Sequence, residues 1–343
     1  MASLPDSMRA IVQDVYGGPA VLHFAEVPLP ELRPRDILVK VAAVSVNPVD
    51  AKVRGGGPPG QPVAGAPKIL GWDAVGEVVA LGAEAQRFQV GHGVFFAGDL
   101  TRAGSYAEYV AVDERIVGHR PRTLSDAEAA AVPLVALTAW EGLLEGMAAE
   151  RGDGGSGTRV CLVVGGGGGV GSTAIQIARQ VCGLTVVATA SRDESRQYAR
   201  QMGAEAVIDH TQPLGAQLRA LGFGGADYVF STAGLSGFKE WAAVLNPLGK
   251  ICCIVSGPEA AALDVSPLFP NRGTLIFELM FTRPRTGIGL EKQGEILDKV
   301  AGLLDHGILK STAMHVLPWE QMALAHQMIE SGHTVGKIVL TVA

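Results

Sequence analysis

The hydrophobic pattern changes rhythm near Ser125. Before it, apolar residues fall in short β-type runs, among them Ile37–Val46, Ala74–Gly82 and Tyr106–Val112, separated by Gly- and Pro-rich joints such as Gly55–Pro62. Many short strands with turn-rich connections predict a barrel-like β domain. After it, apolar strands at 159–164, 185–190, 206–208, 227–231, 249–255 and 274–280 alternate with helical stretches. This βαβ rhythm predicts an α/β architecture with a doubly wound parallel sheet. From about 285 the chain carries helices near Glu291–Leu304 and Trp319–Ser331 and a closing strand, Gly336–Val342. A strand formed after the sheet is complete is expected to return to the first domain. The expected division is therefore 1–124, 125–284 and 285–343, the last segment rejoining the first.

The first strand of the second rhythm holds Val160, Leu162, Val163 and Val164 and runs into five glycines, Gly165–Gly169. Gly166, Gly168 and Gly171 form GxGxxG, the strand–turn–helix signature that holds a dinucleotide pyrophosphate. Glycine allows the tight turn and the close approach of backbone to phosphate, and the helix start supplies N–H groups and a favourable dipole. Alone the motif is weak, because many glycine-rich loops are only turns. Here Gly171, Ala174, Ile175 and Ala178 continue at helical spacing, and a second strand follows at the distance of a βαβ unit. Gly166, Gly168, Gly169, Val170 and Gly171 are thus the candidate phosphate contacts.

Composition narrows the possibilities. At 343 residues with net charge −6, the chain has no basic footprint for nucleic acid and no polybasic membrane patch. The N-terminus has no signal-peptide core, and the apolar run Ala129–Trp140 is too short for a bilayer and contains Pro133. A soluble, cytoplasmic protein is expected, without nucleic-acid or membrane partners. Cys161, Cys182, Cys252 and Cys253 lack CxxC spacing and sit in apolar contexts, so they are expected as buried thiols. The 8 histidines show neither HxH nor HExxH spacing, and no metal site is expected.

With the segments Asn47–Gly57, Ile69–Gly82, Phe88–Phe95, Gly104–Val110, Ala131–Trp140, Gly203–Asp209, Gly225–Gly234, Leu248–Ile251 and Gly336–Leu340 in order around the glycine turn, the chain resembles the medium-chain dehydrogenase/reductase superfamily. The resemblance is nearest to its zinc-free quinone oxidoreductase (zeta-crystallin-like) branch, and Leu275–Pro284 points to a subgroup labelled zinc-type alcohol dehydrogenase-like. It implies a GroES-like β-barrel catalytic domain, a Rossmann cofactor domain and a homodimer paired through the edge strand Thr274–Phe281. In the zinc enzymes of this superfamily a cysteine and a His-Glu pair serve the metal. The matching positions here are Asn47, Trp72 and Asp73, and an amide and an indole do not replace a thiolate and an imidazole.

The same comparison bears on the nucleotide. An NAD-specific fold ends its second strand in an acidic residue, and Ala190 stands there, followed by Ser191, Arg192 and Arg196. A missing carboxylate beside guanidinium groups favours the 2′-phosphate of NADPH, although both arginines also read as solvated helix residues. The missing acid also argues against a methyltransferase. The family often has lysine at Ser195 and tyrosine at His210. The resemblance further assigns His210 to the cofactor, and Thr138 unless it is an ordinary buried helix hydroxyl; Ser256 and Gly257 end a late sheet strand, where the open crevice places ligands.

Without a Lewis-acid metal the hydride acceptor must be intrinsically electrophilic: a quinone, or an α,β-unsaturated carbonyl. Asn47 and Lys52 are the candidate catalytic groups. Lys52 would donate to the substrate oxygen, unless it is a surface residue or a partner of Asp50. Trp72 and Phe95 are candidate walls of an apolar substrate pocket, with core packing as the alternative for each. Asp50 reads as a turn cap, and Tyr106 and Tyr109 as barrel core. Three functions stay open: an NADPH-dependent quinone reductase, an NADPH-dependent enone/enal double-bond reductase, and a non-catalytic NADPH-binding protein like lens zeta-crystallin.

Overall fold

The computed structural model describes residues 4–150 and 159–342. Along the first part lie β1 (Ser7–Gln13), β2 (His23–Pro28), β3 (Asp36–Val46), α1 (Pro48–Arg54), β4 (Lys68–Ile69), β5 (Ala74–Leu81), β6 (Gly93–Phe96), β7 (Tyr109–Asp113), β8 (Val117–His119) and α2 (Asp126–Ala130). Next come α3 (Pro133–Trp140), β9 (Val160–Val164), α4 (Gly169–Gln176), β10 (Thr185–Thr189), α5 (Asp193–Gln201), β11 (Ala206–Ile208), α6 (Leu214–Ala220), β12 (Ala226–Ser231), α7 (Phe238–Ala243), β13 (Leu245–Cys253) and β14 (Thr274–Phe277). The chain continues with α8 (Thr282–Thr286), α9 (Glu291–Asp305), β15 (Ala313–Pro318), α10 (Met322–Glu330) and β16 (Lys337–Thr341).

Two compact units result. One is the chain up to Leu134 together with the segment from Phe281 onward, and the other is Val135–Met280. In the first unit β2, β1 and β4 form a three-stranded sheet. A seven-stranded sheet runs β15-β16-β3-β5-β6-β8, with β7 also on β3. This is the GroES-like β domain. The closing strand returns as expected: β16 pairs antiparallel with β3, Ile338 opposite Val46.

The boundary expected after residue 124 falls instead at Leu134, because α2 packs on β3, β5 and β16. Ser125 starts that helix, its hydroxyl accepting from Glu128 N while its own amide donates to the Glu128 carboxylate, a capping box. Ser311 Oγ donates to Glu128 O, tying α2 to the returning segment. The second boundary moves from 285 to 281 for a similar reason: Phe281 packs edge-on to Trp72.

In the second unit the sheet is parallel throughout, ordered β11-β10-β9-β12-β13-β14. This is the doubly wound order of a Rossmann sheet, whose crevice opens at the carboxyl ends of the strands. Leu162, Val187, Val229 and Ile251 on its strands are buried with Trp241 and Leu245, and the strand faces are apolar on both sides as parallel sheets require. The last strand, expected to reach residue 280, stops at Phe277 and is the sheet edge. One helical stretch, Asp126–Gly146, is long and apolar enough to cross a bilayer, contrary to the length read from sequence, but 83% of its apolar 18-residue window is buried, as in a core helix.

Candidate active site and cofactor site

In the second unit the glycines of the turn divide by role. Gly165 has φ +84°, and a Cβ there would sit 2.3 Å from Thr232 Oγ1. A Cβ on Gly171 would lie 2.1 Å from Gly165 O. The first and last glycines are therefore demanded by the fold. Gly168 differs: a Cβ would meet nothing nearer than Gly165 O at 3.9 Å. Gly168 is the N-cap of α4 and carries no side chain over the helix start, so no capping side chain competes for the N–H groups of the first turn, which have no intrahelical acceptors. The turn is braced from β10, where Thr189 Oγ1 accepts from Gly165 N at 3.0 Å and Thr189 O from Gly166 N at 3.0 Å. These residues fit a dinucleotide pyrophosphate.

The other expected cofactor residues gather at the same edge of the sheet. Ser191 and Arg192 follow β10, His210 follows β11, and Ser256 and Gly257 follow β13. Ser191, Arg192, His210 and Ser256 are exposed, and Gly257 is half-buried. Thr138 is buried on α3. Arg196 is held by Asp209, Nη2 to Oδ2 at 2.9 Å, so its charge is already partnered. Ser195 lies under the turn, and a Cβ on Gly167 would strike its Cβ at 2.7 Å. A lysine stem at 195 would start from that same close contact.

In the first unit two of the residues at the metal-ligand positions, Asn47 and Asp73, meet at the Asp73 carboxylate, while Trp72 turns its indole N–H elsewhere. Asp73 is fully buried. Its Oδ2 accepts from Ser45 Oγ at 2.7 Å, Asn47 Nδ2 at 2.8 Å and Lys337 Nζ at 3.1 Å, and its Oδ1 from Leu134 N at 2.8 Å. Asn47 is only 1% exposed, and its other amide end, Oδ1, accepts from Lys337. The side chain expected to reach the substrate thus has both ends committed within the protein. Lys52 is exposed on α1 and has no partner among the described residues. Asp50, the partner that sequence offered it, turns inward instead.

A pocket of about 190 Å³ lies in this unit, walled by Trp72, Phe96, Val110, Ile116 and Leu290. Trp72 is fixed by its indole N–H, which donates to Asp99 O at 3.1 Å, and by an edge-on contact with Phe281. Phe95, the other expected wall, is absent from the pocket and fully buried. Successive strand residues face opposite ways, so β6 presents Phe96 to the pocket and leaves Phe95 in the core, where a Cβ on Gly118 would meet its ring at 2.9 Å. At the rim Arg102 is bidentate to Asp36 and Arg115 pairs with Asp113.

A second buried chain starts at Asp50. Its Oδ2 accepts from Asn47 N at 2.7 Å and from Tyr106 Oη at 2.8 Å. Tyr106 Oη lies 3.2 Å from His326 Nε2, and His326 Nδ1 lies 2.8 Å from Arg54 Nη1. Arg54 also pairs with Glu330. Arginine only donates, so Nδ1 of His326 accepts, Nε2–H donates to Tyr106, and Tyr106 donates to Asp50. Tyr106 fits against Gly71, whose φ is +99° and where a Cβ would lie 2.3 Å from the ring. Sequence reasoning missed Lys337, Ser45 and His326. Lys337 stood inside a quoted family segment, Gly336–Leu340, but nothing in the local pattern marks it as buried.

A dinucleotide turn on a Rossmann sheet in one unit, and in the other a GroES-like barrel that β16 completes, define a two-domain nicotinamide-dependent oxidoreductase. Residues 33–122 match the alcohol dehydrogenase GroES-like domain, and residues 202–340 the zinc-binding dehydrogenase family. A zinc-type alcohol dehydrogenase-like protein of Staphylococcus aureus is 36% identical over 313 residues, covering 90% of this chain and 91% of its own. The chloroplastic NADPH-dependent alkenal/one oxidoreductase of Arabidopsis thaliana is 29% identical over 351 residues, covering 99% and 81%. Among solved structures, a candidate zinc-dependent alcohol dehydrogenase of Rhizobium etli superposes with TM-score 0.90 at 40% identity, covering 99% of both chains. The quinone oxidoreductase of Coxiella burnetii superposes with TM-score 0.81 at 27% identity, covering 98% of this chain and all of its own. The chain belongs to the medium-chain dehydrogenase/reductase superfamily.

The Asp50 chain makes stability depend on pH. Burial pushes the Asp50 carboxyl up to about 7, outweighing the hydrogen bonds from Asn47 and Tyr106. Between its ordinary value near 3.8 and about 7 the folded chain keeps a proton that the unfolded chain loses, so this group lowers stability as pH rises across that window. Burial and Arg54 push His326 down to about 3, which acts in the opposite sense between about 3 and its ordinary 6.5. Asp50→Asn removes only the first effect. Its Tm, measured against wild type, should therefore climb by several degrees from pH 5 to pH 8. A Tm difference that stays constant over that range would show that Asp50 does not titrate there.

Proposed function

We propose that the protein is an NADPH-dependent reductase of quinones that works without a metal. The observation that carries this reading is that one unit holds a dinucleotide turn and the other a small pocket with aromatic walls and a charged rim. Bound NADPH would supply the hydride. Gly166, Gly168, Gly169, Val170 and Gly171 would hold the pyrophosphate and Arg192 the 2′-phosphate, with Arg196 held to Asp209 in support. At about 190 Å³ the pocket lies below the ~300–1,000 Å³ of clefts that take drug-sized ligands. Trp72 and Phe96 offer aromatic faces, and the rim arginines Arg102 and Arg115 are spent on Asp36 and Asp113. These features suit a small, flat, uncharged carbonyl compound. Asn47 acts by holding the β3–α1 junction to Asp73; Lys52 is exposed on α1 and does not line this pocket, so its role as proton donor to the reduced oxygen rests on the resemblance. The name of the plant relative supports activated alkenes as a second substrate class. The protein is proposed to be cytoplasmic and a homodimer, because β14 ends the sheet with Phe277 and the following Leu279 each about half exposed.

Steady-state NADPH oxidation with 9,10-phenanthrenequinone and a panel of enals separates the substrate classes; turnover with neither would refute the reductase reading. NADPH should be preferred over NADH, and Arg192→Ala should narrow that preference by about tenfold in KM, the worth of one charge-assisted contact. Equal affinities in the wild type would refute the assignment. Two substitutions at exposed positions test the pocket and the donor. Ala103→Trp, at the pocket edge, should raise KM for a large quinone more than for a small one. Lys52→Ala should lower kcat at least tenfold at unchanged KM; full turnover would remove Lys52 from the mechanism. Sedimentation should give a dimer that Phe277→Lys dissociates, and a wild-type monomer would exclude the edge pairing.

A further inference from the structure

The family that residues 202–340 match is described as zinc-binding, and the donor set here does not suit zinc. Zinc sites are built from Cys, His and Asp/Glu side chains in a tetrahedron. Among the described residues no group of three or more such side chains is gathered. Where Asn47 and Asp73 meet, the donors are oxygens, and a cation already lies among them. Lys337 Nζ donates to Val46 O at 3.0 Å, to Asn47 Oδ1, and to Asp73 Oδ2 at 3.1 Å. Those three acceptors use the three hydrogens of an ammonium. The Lys337 side chain is 4% exposed and that of Asp73 is 0% exposed.

Placement of the lysine is set by strand register. Ile338 faces Val46 across the antiparallel β16–β3 ladder, so the preceding Lys337 falls at the level of Asn47. Asn47 fits between the two charges in one orientation only, Nδ2 toward the carboxylate and Oδ1 toward the ammonium.

We propose that Lys337 is a resident structural cation: its ammonium fills the oxygen-lined hole around Asp73, neutralises that carboxylate, and keeps a divalent metal out of it. The closing strand thereby contributes a charge, and the segment carrying Trp72 and Asp73 is locked to the end of β3 by that charge. The inference concerns the first unit alone and stands whether or not quinones are the substrate.

Two measurements test it. Protein made in zinc-supplemented medium should carry far less than one zinc per chain by elemental analysis; one zinc per chain would overturn the proposal. Lys337→Met keeps the stem and removes the charge, leaving a buried carboxylate unpaired, and should lower Tm by about 10 °C. In an Asp73→Asn background the same substitution should cost less than half as much. An equal loss in both backgrounds would show that bulk and not charge is at issue. Should Lys337→Met fail to fold, recovery of a soluble, cooperatively melting Lys337→Met/Asp73→Asn protein supports the proposal, and its failure overturns it.

Discussion

A carboxylate taken wholly out of water is the constraint around which the first unit is arranged. Asp73 has no solvent to stabilise it, so every lone pair needs a donor. The donors come from four places in the chain: Ser45 at the end of β3, Asn47 just beyond it, Leu134 in the first turn of α3, and Lys337 on the closing strand. Oδ1 depends on the Leu134 amide alone, while Oδ2 shares three donors, and losing any of the four costs more than losing an ordinary contact because the acceptor is a buried charge. The carbonyl of the same residue accepts from Ser105 Oγ at 3.1 Å and Ser45 N at 3.4 Å. Trp72, next to it, is held on its far side by Asp99 O, so the pocket wall takes its position from the hub.

Much of the second unit was legible because its information is local. A βαβ unit is written within some thirty residues, and its glycines have steric reasons visible in the motif: Gly165 and Gly171 are crowded by protein, while Gly168 is left open. The alternation of strands and helices announced a doubly wound parallel sheet, and the structure supplied its order. Less local features escaped. The boundary near Ser125 followed the change of rhythm, but α2 packs with strands from the barrel, which hydrophobic periodicity does not report. The pocket wall was placed on Phe95 when β6 presents Phe96, a one-residue parity that a four-residue strand is too short to fix from pattern.

The candidate site shows the same limit. Asn47, Trp72 and Asp73 were recognisable as the wrong residues for a metal, but what replaced it was not readable. Lys337 lies 264 positions from Asp73, and only the register of β16 on β3 brings the two together. Likewise His326 pairs with Tyr106 across 220 positions. Neither Lys337 nor His326 is singled out by its local pattern; the topology alone shows both as buried.

The location of that ammonium has a consequence for how the chain is made. Translation proceeds from the N-terminus, and β16 is the last of the described strands to be synthesised. Asp73, Ser45 and Asn47 therefore emerge long before the charge that completes them. Until then the barrel must keep the carboxylate in water, with the β3 edge that β16 will cover still open. Completion of the first unit is thus coupled to the synthesis of β16 rather than to the appearance of its own N-terminal strands. The intervening Rossmann unit has all six of its strands, β9 to β14, in hand earlier. The unit written second in the sequence thus has its strands complete before the first unit receives the lysine of β16.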